Sequence, residues 1–134
     1  RDRIAAFSAG IHLFEPGGYF SIAGEHTVFG DLDEAAKTDK NQYVALENLC
    51  ARVAKGEVEA PEFYISCGTE DSLYAVNCKF RDLLLEDGFE VTYDEEPRGH
   101  DWDYWDSQIK KVIDWLPLGQ ANATLGSGNV SKEL

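Results

Sequence analysis

From Pro61 to Pro117 the hydrophobic pattern switches back and forth between two periods, and this limits the possible folds more than any other feature of the chain. Phe63-Tyr64-Ile65-Ser66-Cys67 is a near-continuous apolar run bounded by Pro61 and Gly68, which predicts a central strand covered on both faces. Leu73, Val76, Phe80, Leu83 and Leu84 then recur at helical spacing and stop at Gly88. Phe89, Val91 and Tyr93 alternate with Glu90, Thr92 and Asp94, a strand with one polar face and so closer to a sheet edge. Trp105, Ile109, Val112, Ile113 and Leu116 form a last helical stripe, with Asp101 and Asp103 placed to cap it and Pro117 to end it. Strands that alternate with helices predict an α/β fold with a parallel sheet and helical crossovers.

Upstream the same alternation continues with one interruption. Residues 4 to 9 predict a short buried strand ended by Gly10, and Tyr43, Leu46, Leu49, Cys50 and Val53 predict a helix over 41–55 with Gly56 at its C-terminal end. Between them, from Ile11 to Lys40, the pattern gives way to Pro16-Gly17-Gly18, scattered aromatics and the acidic run Asp31 to Glu34. An excursion of that length carries small elements of its own or a function. The expected organisation is one domain over 1–118 followed by a polar, frayed tail over 119–134.

With 25 acidic against 12 basic residues the net charge is −13, which repels phosphate backbones and anionic lipid surfaces and argues against a nucleic-acid or membrane partner. No apolar run approaches the roughly 20 residues needed to cross a bilayer. Cys50, Cys67 and Cys78 form no C-x-x-C pair and have no histidine at ligand spacing, so neither a metal nor another cofactor is expected, and the thiols fit buried positions in a reducing, cytoplasmic setting. Secretion stays open, because Asn122-Ala-Thr and Asn129-Val-Ser are sequons.

In a parallel sheet the loops that follow successive strands emerge along one edge, the edge where ligands bind. Cys67-Gly68-Thr69-Glu70-Asp71 and Arg98-Gly99-His100-Asp101-Trp102 each end a strand, so the topology alone brings an acid and a histidine to neighbouring loops. Carboxylates near His100 stabilise its imidazolium form, which suits a general base that must accept a proton during reaction. Either Glu70 or Asp71 could orient the imidazole, and Asp71 could instead cap the following helix. The acid-then-histidine order is that of the second and third members of a Ser…Asp…His triad, but the chain has no Gly-x-Ser-x-Gly for the first. Ser66 lies within a strand, and Ser8 and Ser21 lack the flanking glycines.

The run from Phe63 to Leu116 resembles the C-terminal part of the tributyrin-esterase and esterase D-like group of α/β-hydrolases. The resemblance rests on Cys-Gly-Thr-Glu-Asp, on Tyr74, Asn77, Phe80 and Arg81, on Gly-His-Asp-Trp-Asp-Tyr-Trp-Asp and on the closing Trp115-Leu116. More weakly, Arg1 to Gly10 resembles the strand after the nucleophile helix, and Val28-Phe29-Gly30-Asp31 resembles that group's substrate-side loop. The resemblance implies the C-terminal half of an α/β-hydrolase fold, with Asp71 as triad acid, His100 as base, and Phe29 and Trp102 at the substrate. It also implies that the nucleophile and the oxyanion donors lie before Arg1, in keeping with a chain that opens on Arg1-Asp2-Arg3 and contains no Met.

The expected function is that of a serine carboxylesterase acting through an acyl-enzyme on a small ester. The isolated chain is expected to be inactive without its nucleophile. A thioesterase or S-formylglutathione hydrolase role uses the same chemistry, and a non-catalytic or binding module of hydrolase descent is the alternative from another class. The expected partners are the missing N-terminal half or a second copy of the chain. The acidic surroundings of His100, with Phe14, Tyr19, Phe20 and Phe29 in the excursion, favour neutral esters over anionic ones.

Overall fold

The computed structural model describes residues 1–9, 14 and 29–118. Within them the elements run β1 (Arg3–Phe7), α1 (Leu32–Ala35), α2 (Gln42–Ala54), β2 (Glu62–Gly68), α3 (Tyr74–Glu86), β3 (Glu90–Glu96) and α4 (Trp102–Trp115). The strands form a parallel sheet in the order β1-β2-β3, with Phe7 opposite Ser66 and Ser66 opposite Asp94. Residues 119–134, His12, Tyr19, Phe20, His26 and most of the expected excursion lie outside the described residues. The short helix α1 falls within that excursion, capped by the Asp31 side chain.

The central strand is buried along nearly its whole length, as its apolar run requires. Phe63 and Ile65 pack on one face with Leu46 of α2, Leu84 of α3 and Phe89, joined by Leu49, Cys50, Phe80 and Leu83. On the other face Tyr64 meets Trp115 of α4, ring centroids 5.6 Å apart. The helices α2 and α3 therefore cover one side of the sheet and α4 the other. Gly56 and Gly88, at φ 71° and 85°, take the left-handed positions just past α2 and α3.

Two expectations are corrected. The first strand is not a buried one: Ile4 is 44% exposed, because β1 pairs only with β2 among the described residues. The buried face of α4 is also turned from the expected stripe. Tyr104, Gln108 and Val112 face inward, while Ile109 and Ile113 are exposed.

The cause of the second difference lies in the sheet. The Tyr64 hydroxyl donates to Gln108 Oε1 (3.0 Å) and Gln108 Nε2 donates to Asp94 Oδ2 (2.7 Å), so both ends of the buried amide are satisfied. Lys111 Nζ lies 2.6 Å from Asp94 and 2.7 Å from Glu96. Burial works against ionisation of Asp94, but the bonds from Lys111 and Gln108 outweigh it and hold the carboxyl below its usual range. A glutamine thus occupies a core position that hydrophobic periodicity assigns to an apolar residue.

At the start of α4, Asp101 caps the helix, accepting from Tyr104 N at 2.8 Å, while Asp103 sits in the first turn. Removing this cap in Asp101→Ala is expected to cost about 1 kcal/mol of stability. A lower urea midpoint at unchanged denaturant dependence checks this.

Candidate functional site

Three strand ends meet at the C-terminal edge of the sheet, and backbone hydrogen bonds tie two of the loops that follow them together. Thr69 N donates to Glu96 O (2.9 Å) and Glu70 N to Arg98 O (3.1 Å), which fastens the β2–α3 loop to the β3–α4 loop. Gly68 makes this approach possible. A Cβ at that position would lie 2.0 Å from Arg98 O and 2.7 Å from its carbonyl carbon, both backbone atoms, so only hydrogen fits.

This junction places Asp71 and His100 side by side. His100 Nδ1 lies 2.9 Å from Asp71 Oδ2. The Asp71 side chain is fully buried, whereas that of His100 is 49% exposed. The other carboxylate oxygen, Oδ1, accepts from Leu73 N at 2.8 Å. The two roles weighed for Asp71 thus coexist: one oxygen shapes the turn into α3 and the other holds the imidazole. Glu70 is exposed, and it is Asp71 that meets the ring.

Burial disfavours the Asp71 charge, but the hydrogen bonds from Leu73 N and His100 more than offset it and leave the carboxyl below its ordinary range. An ionised carboxylate can only accept, so Nδ1 carries the proton and donates. Nε2 is then the basic nitrogen, and no described side chain bonds it.

The imidazole is braced from the side by Trp105, edge to face at 4.7 Å, and Trp105 in turn stacks edge-on against Trp102 at 5.0 Å. A cavity of about 560 Å³ opens beside the ring, walled by Phe7, Ser8, Trp102, Trp105 and Ile109, with Asp106 contributing a carboxylate. Trp102 lines it while remaining 81% exposed. Phe29 does not line it; that ring packs edge-on against Phe14 at 5.8 Å. Of the residues singled out in the sequence, Asp71, His100 and Trp102 come together and Phe29 stands apart.

Ser8 is the member of this site that the search for a flanked nucleophile passes over. It is 4% exposed, follows β1 at the same sheet edge, and has φ 44°, the one non-glycine residue with positive φ among those described. The edge rule that located Asp71 and His100 applies equally to the residue after β1. Cys67 is fully buried next to it, and burial together with the Asp71 charge pushes its thiol up to about 12. It is therefore a protonated packing group, with little thiolate to act as nucleophile. Among the described residues no group of three or more His, Cys, Asp and Glu side chains is placed to hold a metal ion. No helix among them is long and apolar enough to cross a membrane.

No family model matches the sequence. A comparison with curated proteins finds 31% identity over 108 residues to an acetyl esterase of Caldicellulosiruptor saccharolyticus, covering 81% of this chain. The chain carries the C-terminal part of an esterase-type α/β-hydrolase. Solved structures agree. The serine hydrolase FphF of Staphylococcus aureus superimposes with a TM-score of 0.66 at 26% identity over 84% of this hydrolase segment. The S-formylglutathione hydrolase FrmB of the same organism shares the fold, with a TM-score of 0.55 at 24% identity, again over 84% of the segment. The segment spans 39% of the acetyl esterase, 43% of FphF and 49% of FrmB.

Proposed function

We propose that this segment supplies the acid and the base of a serine carboxylesterase, Asp71 and His100, and that the nucleophilic serine and the oxyanion donors come from residues outside these 134. The observation that carries the reading is the buried carboxylate bonded to Nδ1 at 2.9 Å, with Nε2 left as a base at an open cavity. The likeness to an acetyl esterase and to a serine hydrolase supports the choice of reaction, and a short acyl ester is the substrate class it favours.

The geometry suits that chemistry step by step. Nε2 takes the proton from a serine hydroxyl as the oxygen attacks the ester carbonyl, and the positive charge that forms on the ring is held by the Asp71 carboxylate. Collapse of the tetrahedral intermediate breaks the carbon–oxygen bond of the ester, and Nε2–H gives its proton to the departing alcohol. Water then repeats the sequence on the acyl-enzyme and releases the acid. Asp71 remains ionised throughout.

Ser8 does not fit the nucleophile's place. Its buried hydroxyl accepts from Trp105, Nε1 to Oγ 3.2 Å, and among the described residues no hydrogen bond joins it to the base, His100. The purified 134-residue chain is accordingly expected to show no turnover of short nitrophenyl esters above buffer. A protein extended N-terminally to include a Gly-x-Ser-x-Gly segment should hydrolyse them and react with a fluorophosphonate probe. Strong activity of the short chain, abolished by Ser8→Ala or Ser66→Ala, would overturn the assignment.

A further inference from the structure

We infer that Trp105 is a positioning residue for the base: its indole, pinned through Nε1 to the Ser8 hydroxyl, holds the His100 ring in the orientation that keeps Nδ1 on Asp71 and Nε2 at the cavity. The inference rests on the reading of Asp71 and His100 as acid and base, and it ties the base to a third strand end.

A single hydrogen bond fixes one atom of an imidazole and leaves the ring free to pivot about it. His100 is half exposed, and among the described residues its side chain is bonded through Nδ1 to Asp71 Oδ2. A second point of support comes from Trp105, whose ring stands at 88° to the imidazole with centroids 4.7 Å apart. The start of α4 dictates this pairing. Asp101 is the N-cap, so His100 is the residue just before the cap and Trp105 the fourth residue of the helix. Side chains at those two positions pack together to fix how a chain enters a helix. Here the upstream member of the pair is the base itself, so the contact that sets the entry angle also sets the ring.

Spacing alone brings Trp105 beside the imidazole, but where the indole lies is decided by a distant residue. Trp105 N donates to Asp101 O at 3.2 Å, which fixes its backbone in the first turn. At the other end of the side chain Nε1–H donates to Ser8 Oγ at 3.2 Å, 97 positions upstream at the end of β1. An indole held at its backbone and at Nε1 cannot swing away from the ring it supports.

Ser8 is a firm anchor. Its N donates to Ser66 O at 2.9 Å, and its φ of 44° is one that a serine keeps only where the surrounding structure over-determines it. One residue on, Ala9 N donates to Asn77 Oδ1 and Asn77 Nδ2 donates to Ala9 O, each at 3.1 Å. Asn77 is buried on α3, and its Nδ2 also donates to Leu73 O at 2.8 Å. Leu73 N in turn donates to Asp71 Oδ1 at 2.8 Å. The frame that holds the acid therefore also carries the pin for the support behind the base.

The tautomer of His100 tests this without any need for turnover. Nitrogen-15 NMR on the full chain at about pH 9, well above the ordinary histidine range, reads which ring nitrogen carries the proton. The wild-type chain should show Nδ1–H as the dominant form. Trp105→Ala removes both the ring contact and the pin, and the ratio of Nδ1–H to Nε2–H should fall by about 3- to 10-fold, the worth of an edge-to-face aromatic pair. Trp105→Phe keeps a ring but gives up the N–H, so it should lower the ratio by a smaller factor, and it serves as the test if the alanine variant fails to fold. Ile113→Ala, at an exposed position of the same helix that does not line the cavity, should leave the ratio at its wild-type value. A fall in both Trp105 variants with none in Ile113→Ala supports the role. An unchanged ratio in either folded Trp105 variant overturns the inference and leaves the acid–base pair intact. An equal fall in Ile113→Ala assigns the effect to the helix as a whole and overturns it too. A wild-type chain with Nε2–H dominant overturns the pair and the inference together.

Discussion

In an esterase that contains this segment together with its nucleophile, His100→Ala is expected to lower kcat by about 10⁴- to 10⁶-fold with a much smaller change in KM. The proton on the serine hydroxyl then has no acceptor at the sheet edge, and the leaving alcohol has no donor. Asp71→Asn should be somewhat milder. An amide can present its NH₂ to Nδ1, which would shift the ring proton to Nε2 and leave no lone pair facing the nucleophile. Because members of a triad act as a unit, the double variant should be little worse than His100→Ala alone. Steady-state kinetics on a short nitrophenyl ester check all three. Near-wild-type kcat in either single variant would remove Asp71 and His100 from the mechanism.

The second large effect is expected at a residue that touches no substrate. Gly68→Ala places a methyl group 2.0 Å from Arg98 O, and a backbone carbonyl cannot swing aside as a side chain can. The loop carrying His100 must move off β2, which breaks the bond from Glu70 N to Arg98 O and draws the imidazole away from Asp71. Overpacking of this kind costs about 1 to 3 kcal/mol in stability. The larger consequence falls on catalysis, since a displacement of about 1 Å at the reacting groups costs on the order of 10²-fold. The expected result for the complete esterase is a kcat lowered by about 10²-fold or more, with a lower urea midpoint in the same protein. A variant with unchanged midpoint and unchanged kcat would show that the two loops can separate without consequence.

These two residues also show where sequence reasoning reached and where it stopped. His100 and Asp71 were legible because their loops follow consecutive strands, and a parallel sheet gathers such loops at one edge whatever their side chains. The choice between Glu70 and Asp71 was not legible. It depends on the turn after β2, where Leu73 N takes one Asp71 oxygen and leaves the other facing the ring. Gly68 reads in the sequence as a strand terminator, and only the juxtaposition with Arg98 makes it the contact on which the pairing of the loops depends.

The helices divide in the same way. Local periodicity located α2, α3 and α4 closely, because burying one face requires apolar residues every three to four positions. It did not give the rotation of α4, which turns on what the sheet offers that helix. A buried hydroxyl on Tyr64 and a carboxylate on Asp94 make Gln108 an inward residue and leave Ile109 and Ile113 outside. The burial of β1 was overestimated for a related reason: composition reports that a strand is apolar, while its exposure depends on how many neighbours the sheet supplies.

The alternation of periods along the chain was thus enough to determine a parallel α/β sheet and to bring an acid and a histidine to one of its edges, since backbone hydrogen bonding and side-chain periodicity are local properties. The choice of Asp71 over Glu70, the bonding of the Ser8 hydroxyl by Trp105, and the bracing of His100 by Trp105 were decided only in three dimensions. Each of these depends on contacts between residues far apart in the chain, whose distances and angles no local pattern encodes.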